Sequence, residues 1–146
     1  MNKDIDVKKI RIRFLMIVVI LAFSACMVVG GLTIKRHADM IRDVENLKTD
    51  FIHVVTNQKE SGVDYGKLVE WYDIATDYGE IKKVENLNFD FEQVKHDDKS
   101  GYAEIRYTYF VRFEDGTSTG AHRVASKWFI RKYKNRWIVY DIEENP

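Results

Sequence analysis

Between Arg13 and Lys35 the chain runs for 21 residues without a charged side chain. A helix of that length extends about 31 Å at about 1.5 Å per residue, matching a hydrocarbon core about 30 Å thick. Charges at both borders fix its depth. The chain is therefore read as a tail of residues 1–13, a transmembrane helix of residues 14–34, and one α+β domain of residues 35–146.

Charge sets the expected orientation. The first 35 residues carry six basic and two acidic side chains, and the remaining 111 carry 17 basic and 21 acidic. Lys3, Lys8, Lys9, Arg11 and Arg13 precede the span, whereas Lys35, Arg36 and Arg42 follow it. That excess predicts a cytoplasmic N-terminus and an extracytoplasmic domain. A mildly acidic domain gives no electrostatic reason to bind nucleic acid. Richness in Lys, Ile, Asn and Asp with a single proline suits a low-GC bacterium, so the span is expected in a bacterial cell membrane.

The one cysteine, Cys26, lies inside the apolar run, so the domain holds no disulfide and must be stabilised by packing. Phe23-Ser24-Ala25-Cys26 is similar to a bacterial lipobox, which makes Cys26 a lipidation candidate. Phe23 replaces the usual aliphatic residue, and the run continues through Met27, Val28 and Val29 where a lipoprotein turns polar. An uncleaved anchor, with Cys26 as a small apolar residue facing lipid, is the preferred reading.

Beyond the span, Ile41, Val44, Leu47, Phe51, Val54 and Val55 recur at helical intervals. They predict an amphipathic helix over residues 38–59, continuing from the membrane helix. Ser61 and Gly62 end it, Asp64 caps a second helix over residues 64–78, and Gly79 stops that one. The period then changes to two. Leu87, Phe89 and Phe91 alternate until Val94 breaks parity, the signature of a bulge. Ala103, Ile105, Tyr107, Tyr109, Val111 and Phe113 share a face, Asp115-Gly116 marks a hairpin, and Val124, Trp128 and Ile130 alternate. Trp137 to Ile142 forms the fourth strand. Two helices packed on a curved four-stranded antiparallel sheet are expected.

The closing stretch, Trp128-Phe129-Ile130-Arg131-Lys132-Tyr133-Lys134-Asn135-Arg136-Trp137-Ile138-Val139-Tyr140-Asp141-Ile142, resembles the end of nuclear-transport-factor-2-like domains. Tyr107-Thr108-Tyr109-Phe110-Val111-Arg112-Phe113-Glu114-Asp115-Gly116 is similar to their middle strand and turn. With an N-terminal span, the arrangement resembles the single-span scaffold subunit of conjugative type IV secretion machines. This resemblance implies a nuclear-transport-factor-2-like, cystatin-like cone. It implies a non-enzymatic assembly role in a bacterial envelope, with the bilayer, other envelope subunits or a second copy as partners and no cofactor. The chain is shorter than most such subunits, and fold analogy alone supports many functions.

The residues themselves carry no phosphate-binding glycine loop, nucleophile elbow or His-Glu-x-x-His helix. His37, His53 and His96 read as a headgroup-level, a partly buried and a turn histidine, although His96 with Asp97 and Asp98 has the donor types for a hard cation. Enzymes of this fold place an acid or His with Tyr inside the cone. Tyr72, Asp73, Tyr107, Tyr109 and His122 are the pocket candidates, His122 foremost because it shares strand parity with Val124 and Trp128. A packed aromatic core competes with that small-molecule or enzymatic reading. On the opposite face, Phe110 and Phe129 among Arg106, Arg112 and Arg131 are the partner-contact candidates. An immunity or exclusion lipoprotein is a third reading. A pilus subunit is a weaker fourth, lacking the processing glycine and early glutamate.

Overall fold

The computed structural model describes residues 3–144. The chain divides into two units, Met1–Ala38 and Asp39–Pro146. Helix α1 covers Lys3–Asp43. One helix among the described residues is long and apolar enough to cross a membrane. Within its Met16–Asp43 stretch, a window of mean hydropathy 2.6 is not buried against protein at all. Ile20, Phe23, Met27 and Leu32 are all exposed, which an unpartnered helix in water does not tolerate.

The second unit holds α2 (Asn46–Val55), α3 (Lys67–Tyr72), α4 (Ile74–Tyr78) and strands β1 (Ile81–His96), β2 (Ser100–Phe113), β3 (Ser118–Tyr133) and β4 (Arg136–Glu144). The sheet is an antiparallel meander in the order β1-β2-β3-β4. The expected α+β class, four strands, hairpins and bulge after Phe91 are present. The helices are cut differently from the expectation, for two physical reasons.

First, the expected continuous helix over residues 38–59 is interrupted at Val44-Glu45. There Val44 N–H bonds Ile41 O at 3.1 Å and Leu47 N–H bonds Val44 O at 2.9 Å, both three-residue bonds. Ile41, Val44 and Leu47 are spaced by threes, and such a row stays on one face only if winding tightens to about 3.0 residues per turn. Tightening buries Val44 and Leu47 completely. Second, the expected helix over residues 64–78 starts at Lys67 and breaks at Asp73 (φ −79°, ψ 69°). Tyr72 and Ile74 are both buried. Two residues apart on one helix they would point to nearly opposite sides, so the break lets both reach the core.

The core lies between α2 and the inner face of the sheet. Phe51 of α2 is fully buried, with its ring 5.1 Å from Tyr72, 5.3 Å from Phe89 and Tyr107, and 5.8 Å from Trp128. Edge-to-face and tilted geometries of this kind add to the burial of each ring. Beside it, Asp50 is almost completely buried. It accepts Asn46 Nδ2 at 3.0 Å and pairs with Arg136, while Asn46 also donates to Trp137 O at 2.8 Å. This set fastens α2 to the start of β4. Gly66 (φ 57°) packs so tightly on the β4 edge that a Cβ would collide with the Val139 carbonyl.

Phe51→Ala is expected to cost about 3–5 kcal/mol, measured by urea denaturation of the full chain in micelles. Burial raises the Asp50 carboxyl above its ordinary 3.8, with Asn46 and Arg136 pulling it back. The folded state therefore binds this proton more readily than the unfolded chain. Its contribution to stability is present below 3.8 and declines as pH rises through the folded value. Arg136→Leu, which leaves the carboxylate buried and unpaired, should destabilise more than Asp50→Asn at about pH 7. Stability curves should show that gap closing as the pH falls and the carboxyl takes up its proton.

Candidate functional site

Tyr72 and Tyr107 approach each other from α3 and β2. Both hydroxyls donate to Glu144 Oε1, at 2.7 Å and 2.6 Å, and Trp128 Nε1 donates to the Tyr72 hydroxyl at 3.2 Å. Tyr109 stacks on Tyr107 at 5.9 Å. Burial, then the neighbouring Glu144 carboxylate, pushes the Tyr72 hydroxyl well above the usual phenol range. Tyr107 moves the same way through burial first, then Tyr72 and Glu144. Burial followed by Glu144 also raises Tyr109. Phenols held protonated in this way are hydrogen-bond donors rather than bases. Glu144, absent from the expected set, is the acceptor that organises them. Nothing in the sequence singles it out from Asp141 and Glu143 on the same strand.

Three of the pocket candidates are thus brought together, but as packed core. The Tyr72 and Tyr107 rings meet edge-on at 5.4 Å, Phe51 packs against both, and Trp128 packs against Phe51 and Tyr72. Asp73 turns the other way and pairs with Lys59. The inward placement expected for His122 is corrected by the structure. Tyr107 pairs with Val124 but Tyr109 pairs with Ala121, so β3 carries one extra residue there. Arg123 sits at φ 53° and its N–H bonds Thr108 Oγ1 at 2.9 Å. Such a bulge reverses parity. Ala121 takes the inward position and His122 is exposed, beside Asn86, Thr108 and Phe110 in a cleft of about 400 Å³.

The outer face carries aromatic side chains of its own. Lys95, Tyr102, Phe129 and Asp141 form one register row across all four strands. A shift between Phe129 and Ile130 leaves Tyr140 as the extra residue of β4, 42% exposed and 6.4 Å from Phe129. Lys127 Nζ lies 4.4 Å from the Tyr102 ring centre and 5.5 Å from that of Phe129. Arg131 lies 5.7 Å from Tyr140 and Lys95 5.9 Å from Tyr102. Cations over ring faces order long side chains that are otherwise free.

Of the five partner-contact candidates, only Phe129 and Arg131 belong to this patch. Phe110 pairs with Gly120, so near that a Cβ there would meet Phe110 Cδ2 at 3.1 Å. It lies about 26 Å from Tyr102 along β2 at about 3.3 Å per residue. Arg106 is held by Glu92 at 2.6 Å, and Arg112 is exposed opposite Ser118. The patch members Tyr140 and Lys95 are legible only once the bulges are known.

Among the described residues no group of three or more His, Cys, Asp or Glu converges to hold a metal. Cys26 is an exposed thiol in mid-α1. No family model, no curated protein and no solved structure matches this chain.

Tyr107→Phe should cost about 1–2 kcal/mol by leaving Glu144 with one donor fewer. In ultraviolet titration Tyr72 and Tyr107 should stay protonated as pH passes the ordinary 10.0, ionising only with unfolding. Glu144→Gln should bring their ionisation closer to that value.

Proposed function

We propose that this chain is a single-pass, membrane-anchored assembly module that works by contact through the outer face of its sheet. The observation that carries this reading is the row of Tyr102, Phe129 and Tyr140 with Lys95, Lys127 and Arg131 on that face. Aromatic residues with ordered cations and one large exposed ring are the composition of contact hot spots. The inner face, where a substrate of a cone-like domain would sit, is occupied by Phe51, Tyr107 and Trp128. That supports contact over chemistry.

The finer reading is a scaffold subunit of a bacterial conjugative type IV secretion machine with a nuclear-transport-factor-2-like domain. It is supported by element order alone: a basic tail, an apolar helix, short helices, then a four-strand meander. Charge asymmetry supports a cytoplasmic N-terminus and an extracytoplasmic domain.

Two measurements test these readings. In a Cys26→Ser background, Thr117→Cys at the exposed β2–β3 turn should react with a membrane-impermeant maleimide on intact cells. Labelling only after lysis inverts the topology. A photo-crosslinking residue at position 140 in native membranes should give one discrete adduct with another envelope subunit. Phe129→Ser should weaken it about tenfold or more, the loss expected for a hot-spot ring. Equal adducts from positions 140 and 112, or none from either, would sink the outer-face reading.

A further inference from the structure

His96 is the one histidine whose ring is both buried and incompletely bonded among the described residues. Its side chain is 9% exposed, and its Nε2 is buried without a hydrogen-bond partner. Nδ1 lies 2.8 Å from Asp97 O, an acceptor, so Nδ1 carries the proton and the neutral ring turns a bare lone pair outward from that bond. That lone pair faces Asp43 Oδ2 at 3.8 Å. Asp43 is the last residue of α1 and belongs to the folded unit. Two acceptors facing each other form no bond, so the buried Nε2 is left unsatisfied and the arrangement lacks one proton.

Two neighbours build this position. Gly101 pairs with His96 and has no side chain; a Cβ there would lie 2.6 Å from His96 Cβ. The Trp137 ring stands 4.7 Å from the imidazole at 52°. The charged groups around it are already committed. Asp97 accepts Lys99 N–H at 2.7 Å and Ser100 N–H at 2.8 Å. Lys132 lies 5.7 Å from the Trp137 ring, and Arg136 is paired with Asp50 on α2. Asp43 has no such commitment and is free to move, its side chain 61% accessible.

We propose that His96 is a proton-operated clasp on the last turn of α1. A proton from solvent adds to Nε2, and the resulting N–H donates to the Asp43 carboxylate after a small rotation of that exposed side chain. The cation then rests between a carboxylate and the Trp137 ring, both of which favour it. Loss of the proton to solvent restores two opposed acceptors and releases the turn. The clasp closes as the solution turns acidic and opens as the proton leaves. It acts within the folded unit, on the turn of α1 that ends at Asp43.

The test uses the full chain in lipid nanodiscs and amide hydrogen exchange of residues 39–46, corrected for intrinsic rate. Exchange should be about fivefold slower at about pH 5.5 than at about pH 7.5, the size of one charge-assisted contact. Asp43→Asn, at an exposed site that leaves the core intact, should abolish the difference. His96→Gln should hold exchange at the high-pH level at both conditions. Equal exchange in the natural chain at the two pH values overturns the proposal. So does a pH dependence that survives Asp43→Asn.

Discussion

The ring of Phe51 sits where α2, α3, β1, β2 and β3 meet, and the folded unit depends on it. It touches Tyr72, Phe89, Tyr107, Tyr109 and Trp128 at once. A unit of this size with no disulfide must draw its stability from such contacts. The tightened turn before α2 and the break after Tyr72 are both consequences. Each bends the backbone so that one more side chain reaches the same centre. Asp50, buried one position before Phe51, then needs Arg136 and Asn46, because a carboxylate taken from water must be compensated.

The sheet divides its labour between two faces. Inside, the tyrosine hydroxyls and the Trp128 N–H find acceptors in one another and in Glu144, so the aromatic interior leaves these groups satisfied. Outside, cations lie over rings and stay accessible. Register shifts make this division possible on strands of 16 residues such as β1 and β3. Each bulge resets which side chains face in, so an apolar run can begin on one parity and end on the other.

That resetting explains which parts of the site could be read from the chain. Tyr72, Tyr107 and Tyr109 follow simple periodicity and fall where alternation puts them. His122 does not, because an unpaired residue at Arg123 separates it from Trp128, and Arg carries no turn signal. Phe129 and Arg131 lie on an uninterrupted stretch and were legible as outward-facing. Tyr140 was not, since β4 bulges opposite Phe129 and the unbroken run Trp137-Ile138-Val139-Tyr140 marks no parity. The separation of Phe110 from Phe129 along the sheet follows from their spacing. Only the pairing of Phe110 with Gly120 explains why it is there.

By itself the chain determined the apolar helix, the α+β class, the hairpin order and the inward set of β2. Those features depend on local composition and on periods of two or three to four residues, which neighbouring residues alone can specify. Tertiary structure decided where helices break, which strands bulge, that Glu144 would bind two tyrosines, and that His96 would face Asp43. These are meetings between residues far apart in sequence, and they are chosen by how a shared core fills. No local pattern records that competition, because its outcome depends on every side chain that the core must hold.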